Sequence, residues 1–150
     1  MGIINDVNSL EPTTMIKCNQ FIRECAKNGI TVVINETLRE VITHLLYFLQ
    51  GSIENVKSKN PNIYKEFNAL RKQYKFWELS EVEANKRVTW TLDSKHFYGK
   101  AFDAVPLDKS GKVWWNAPDE IWAKMAECGE KVGLYPGRKF GDNPHFENRA

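Results

Sequence analysis

The chain has 150 residues, the length of about one domain, and its 42% hydrophobic and 27% charged residues give a globular rather than a disordered balance. A net charge of +2 is too small to identify a nucleic-acid binder. No apolar run reaches the ~18 residues of a membrane span, and the opening MGIINDVNSLEP lacks the basic and apolar stretches of a secretory signal.

The first predicted element is a helix to about Asn28, with Thr13 and Thr14 after Pro12 placed to cap it and Gly29 to stop it. Met15, Cys18, Ile22, Cys25 and Ala26 form its apolar stripe. Three cysteines argue against a disulfide framework, and Cys18 and Cys25, about 10 Å apart along a helix, read as small buried hydrophobes in a reducing compartment. Ile30 to Ile34 is a β-branched run short enough for a buried strand. A second helix is expected from Leu38 to Gln50, with Val41, Ile42, Leu45, Leu46 and Leu49 inward and Gly51 as its stop. His44 reads as a packed or surface helix residue, because nothing at metal spacing accompanies it.

Residues 52–86 are polar and Lys-rich, with a turn at Asn60-Pro61-Asn62 and room for one or two short helices. Lys57, Lys59, Lys65, Lys72 and Lys75 are expected on a solvated face. Arg87–Leu92, Ala101–Val105 and Lys112–Trp115 read as strands, the last two joined by a turn at residues 108–111. Asn116 is placed to cap a helix with Pro118 and Asp119 in its first turn, Ile121, Trp122, Met125, Ala126 and Val132 inward, and Gly133 as its end. Trp90, Trp114 and Trp122 fit core faces, whereas Trp115 points the other way and suits a groove wall. Gly141 to Pro144 turns into a last strand, His145 to Glu147. The order predicts one α+β domain over residues 1–150, a mostly antiparallel sheet with flanking helices, and residues 52–86 resembling an insertion.

His96 and His145 stand in suggestive company, the first in SKHFYGKAFD (residues 94–103) and the second in DNPHFE (residues 142–147). Two imidazoles and a carboxylate can hold Zn²⁺ with a position open for water, and such a metal polarises a carbonyl. Spacing does not force that site. His96 and Asp103 are an odd number of residues apart, so one strand would face them oppositely unless Gly99 resets the phase. Two polar turn histidines are the alternative.

Ser94-x-His96-x-x-Gly99-x-Ala101-x-Asp103, followed by Asp142-x-Pro144-His145-Phe146, resembles the zinc D-Ala-D-Ala carboxypeptidase and L-alanyl-D-glutamate endopeptidase family, which includes vancomycin-resistance dipeptidases and many bacteriophage endolysins. Residues 29–39 (GITVVINETLR), with Gly51 after a helix, resemble its strand–Arg–helix opening, and Gly133-Leu134 resembles the approach to its last ligand. The resemblance implies His96, Asp103 and His145 as zinc ligands, Asp142 as general base, Arg39 as a stabiliser of the oxyanion or holder of the substrate carbonyl, and Ser94 at the edge of the substrate groove. The dipeptidase branch usually has Glu where Asp142 stands.

Alternatives remain open at three positions. An extended last segment puts Glu147, and not Asp142, on His145's face; Gly141 permits a turn that swings Asp142 inward, and the family motif favours Asp142. Arg39 can instead pair with Glu36 or Glu40, and Ser94 can be an ordinary turn hydroxyl.

The expected function is that of a small phage-type endolysin: zinc-dependent hydrolysis of the L-alanyl–D-glutamate bond in the peptidoglycan stem peptide, by a monomer with no nucleic-acid partner and no membrane segment. Synthesis in the cytoplasm and release to the cell wall through a holin-type pore would follow. The alternatives are a D-Ala-D-Ala carboxypeptidase, a metal-dependent nuclease and a non-catalytic wall-binding module.

Overall fold

In chain order, the helices are α1 (Pro12–Lys27), α2 (Val41–Leu49), α3 (Ile63–Gln73), α4 (Glu81–Ala84) and α5 (Asp119–Lys131). The strands are β1 (Val32–Glu36), β2 (Ala101–Pro106), β3 (Tyr135–Pro136) and β4 (His145–Glu147). This is a computed structural model, and it describes residues 3–89 and 94–150. The chain divides into two compact units, one holding residues 40–94 and the other residues 4–39 and 95–150.

The second unit is α+β. Its four strands form an antiparallel sheet in the order β1-β2-β4-β3, with β2 and β4 where strands are expected at 101–105 and 145–147. Alternation gives the sheet two different faces. Phe102 and Phe146 are register partners on one face, where they meet Phe21 of α1 with ring centroids 5.7 and 4.4 Å away. Asp103 and His145 are register partners on the other. Helix α5 adds Trp122, Met125 and Cys128 to the Phe-centred core. All three cysteines are free and buried, and burial pushes the Cys18 thiol up to about 12.

Several local expectations are corrected. The cap of α1 is Glu11, whose carboxylate accepts from the Thr13 backbone N–H at 2.7 Å and from the hydroxyls of Thr13 and Thr14. The buried stripe of α1 includes Phe21, three residues after Cys18 and four before Cys25, whereas Ala26 is exposed. The first strand starts two residues late, at Val32. Lys112–Trp115 forms a single bridge, Leu107 to Val113, rather than a strand. Asn116 does not cap α5, which starts after Pro118 with no side-chain cap. Trp122 is buried, Trp114 packs against the core and Trp115 is exposed, in line with their expected faces.

In the other unit, α2 begins at Val41 and turns Thr43, His44 and Leu46 inward, leaving Val41 and Leu45 exposed. A core of Leu46, Ile53, Tyr64, Phe67, Phe76, Leu79 and Ala84 joins α2, α3 and α4, the last opened by a Ser80–Glu83 capping box. Lys59, Lys65, Lys72 and Lys75 are exposed, and Lys57 pairs with Glu81 at 3.2 Å. Residues 87–89 carry no regular structure; the rest of the expected 87–92 strand, Trp90 included, lies outside the described residues.

Candidate metal centre

Asp103 on β2 and His145 on β4 face each other because antiparallel register partners bring their side chains close on one face. His96 comes from elsewhere. It lies in a 3-10 turn, Lys95–Tyr98, rather than on a strand, so the odd spacing to Asp103 is no obstacle. Gly99 ends that turn at φ +67°. A Cβ there would stand 2.8 Å from the Glu11 amide nitrogen, which donates to the Gly99 carbonyl at 3.0 Å; glycine is therefore required to seat the turn against the start of α1.

One ligand atom from each of His96, Asp103 and His145 lies within 4.8 Å of the others. Asp103 Oδ1 is 3.4 Å from His96 Nε2 and 3.6 Å from His145 Nδ1. The remaining ring nitrogens are occupied. His96 Nδ1 donates to the Thr37 carbonyl at 2.9 Å, and His145 Nε2 donates to Glu147 Oε1 at 2.9 Å. With an ion bound, each bond would keep a proton on the outward nitrogen and leave the other nitrogen, on the Asp103 side, to the metal.

Asp103 Oδ1 is buried and lacks a hydrogen-bond partner within normal distance. A buried carboxylate oxygen without a bond is costly unless a cation takes it up. The set of two neutral imidazoles and one carboxylate fits Zn²⁺, leaving a fourth position for water or substrate. Burial opposes the charge on Asp103, yet the facing imidazoles of His145 and His96 hold its carboxyl well below the usual range. Burial likewise opposes protonation of His145, but Asp103 and Glu147 raise it to about 9.

Asp142 reaches this neighbourhood through a turn. Gly141 takes φ +83°, the Asp142 N–H donates to the Gly137 carbonyl at 2.9 Å, and the His145 N–H donates to the Asp142 carbonyl at 3.2 Å. Gly137 makes that turn fit: a Cβ there would lie 2.4 Å from the Asp142 carbonyl oxygen and 2.7 Å from His145 Cβ. Asp142 keeps an exposed surface, but crowding of its carboxyl by protein, followed by the negative charge of Asp103, raises its pKa against the pull of His145, His96 and Arg39. Glu147 shares His145's face, as strand alternation requires, and is spent on His145 Nε2 and on Arg149, whose Nε lies 2.8 Å from Oε2. Those bonds hold Glu147 down at about 2 against the opposing effect of burial.

Arg39 pairs with Glu36, and its backbone N–H donates to the His96 carbonyl at 3.1 Å. Its charge also pulls the Asp142 pKa down, less than His145 and His96 do. Ser94 is half-buried at the end of the 40–94 unit. Thr37, whose contribution is a backbone carbonyl, has no signal in its residue type. Glu147 as a support for His145 is signalled by the i, i+2 spacing on a strand.

No protein-family model and no curated protein matches the sequence. The fold does have solved counterparts. The chain is similar to an L-Ala D-Glu endopeptidase of Serratia marcescens, ChiX, with TM-score 0.55 and 17% identity over 95% of this chain and 82% of that one. It is similar to a zinc-bound variant of the vancomycin-resistance D,D-pentapeptidase VanY, with TM-score 0.52 and 12% identity over 94% and 73%. VanYB in complex with D-alanine-D-alanine gives TM-score 0.55 and 12% identity over 100% and 78%. At these identities the likeness is one of fold: a small α+β architecture that peptidases acting on peptidoglycan peptides also use.

Proposed function

We propose that the chain is a zinc peptidase that hydrolyses the L-alanyl–D-glutamate bond of the peptidoglycan stem. The observation that carries the reading is the orphaned, buried Asp103 Oδ1 between two histidines whose outer nitrogens are already bonded. Its setting in a fold shared with peptidoglycan peptidases supports the substrate class.

His96, Asp103 and His145 would hold the ion. Zinc bound there would supply Lewis acidity toward a carbonyl and toward water. Asp142 takes the proton from the attacking water at its carboxylate and returns it to the leaving amine. Arg39, fixed by Glu36, supplies positive charge for the oxygen that gains negative charge. Ser94 is assigned to substrate contact on the motif it shares with His96. In the endolysin reading, the enzyme meets the wall after release through a holin-type pore.

The D-Ala-D-Ala carboxypeptidase reading is the second one, favoured by the likeness to VanYB with its bound D-alanine-D-alanine. Digestion of purified peptidoglycan, with new termini identified by mass spectrometry, separates the two. The first reading predicts new N-terminal D-Glu with L-Ala retained on the muramyl side. Release of free D-Ala without a new D-Glu amine would replace it with the second.

A further inference from the structure

His145 belongs to a closed circuit of side chains. His145 and Glu147 share one side of β4, Arg149 follows two residues beyond it, and Tyr135 of β3 is the register partner of Glu147. Glu147 bridges with both oxygens, Oε1 to His145 Nε2 at 2.9 Å and Oε2 to Arg149 Nε at 2.8 Å. The Arg149 guanidinium lies 3.4 Å from the centroid of the Tyr135 ring, the diagonal neighbour across the strand pair. Tyr135 stacks on Phe140 at 6.3 Å and 13°. The 3-10 turn Gly137–Phe140 then returns Phe140 to His145, with ring centroids 5.6 Å apart.

We propose that Arg149 and Phe140 are positioning residues for the metal: together they fix the tautomer and the ring plane of His145. This rests on the metal reading above. The circuit holds the imidazole at two points that are linked through the Arg149–Tyr135–Phe140 contacts. Glu147, held at its second oxygen by Arg149, anchors the Nε2–H of His145. Phe140, braced by Tyr135, lies against the ring and opposes its rotation. Both constraints aim Nδ1 at Asp103 before any ion arrives, so less ordering remains for binding to accomplish. Arg149 and Phe140 are both about half exposed, so neither is needed to fill the core.

The test is a double-mutant cycle read as zinc affinity by chelator competition, on wild type, Arg149→Met, Phe140→Leu and the double variant, with metal-free melting temperatures measured alongside. Wild-type binding examines the site itself. The variants examine the circuit. Each single variant is expected to weaken zinc binding about tenfold, the lower end of the range for groups that support a ligand from behind. The double variant is expected to lose little more than the weaker single, because either cut opens the same circuit. Arg149→Lys, which keeps the charge but not the planar stack, should recover only part of the loss. Unchanged affinity in either single variant, strictly additive losses, or losses that track a lowered metal-free melting temperature would overturn the proposal. Phe140 is preferred to Tyr135 as the aromatic cut because Lys139 also lies 5.0 Å from the Tyr135 ring.

Discussion

Two carboxylates flank His145 in the sequence, and the structure gives them different surroundings. Glu147 accepts from the imidazole nitrogen turned away from Asp103, whereas the carboxyl of Asp142 is under the charges of Asp103, His145, His96 and Arg39. Asp142→Asn keeps the size of the side chain and removes the group that takes a proton. Turnover of peptidoglycan is expected to fall by about two to four orders of magnitude, the range of general acid–base assistance, with zinc still bound. Glu147→Gln keeps a partner for the His145 N–H but removes the charge, so its loss should appear first as weaker zinc binding. An active Asp142→Asn beside an inactive, zinc-loaded Glu147→Gln would exchange the two roles.

Among the elements, α1 governs both the core and the seat of His96. Phe21 is fully buried between Phe102 and Phe146, so Phe21→Ala should cost about 3–5 kcal/mol in urea unfolding, with the midpoint shifted and the slope kept. A loss below ~1 kcal/mol would mean that this aromatic cluster is not what holds the sheet to the helix. The cap of α1 gives a pH signature. The Thr13 hydroxyl and backbone N–H, with the Thr14 hydroxyl, hold Glu11 at about 2 against an ordinary 4.5, over a smaller opposing effect of desolvation. A carboxylate depressed on folding stabilises fully above its unfolded pKa and loses that contribution as pH falls toward its folded one. The melting-temperature gap between wild type and Glu11→Gln should therefore be widest above pH 5 and close toward pH 2. A gap that does not change with pH would contradict the capping role.

Elements with a simple period were legible from sequence, and those set by tertiary contact were not. Strands β2 and β4 fall on the expected runs 101–105 and 145–147, but the register that sets Asp103 opposite His145 has no signal in either run alone. Helix α2 misled through its composition: with apolar residues on nearly every side, no stripe stands out, and His44 is buried while Val41 is exposed. Lys112–Trp115 has a strand's alternation but only one bridge to pair with. The cap of α1 was missed because a glutamate at that position is not among the usual capping residues. His96 could not be oriented, since a 3-10 turn has neither strand nor helix period. Its support from the Thr37 carbonyl leaves no trace in residue type.

In the molecule as a whole, the sheet is aromatic on its helix-facing side and carries on the other a carboxylate, one oxygen of it buried, between two histidines. The proposed substrate class follows from the fold likeness to an L-Ala D-Glu endopeptidase and to VanY, and the proposed chemistry needs the ion. Metal content is therefore the most direct test. After equal dialysis against metal-free buffer, elemental analysis should find one zinc per chain in wild type and a loss of tightly bound zinc in both His96→Ala and His145→Ala. Equal zinc content in wild type and the two variants, or none in a wild type that still cleaves peptidoglycan, would contradict the account.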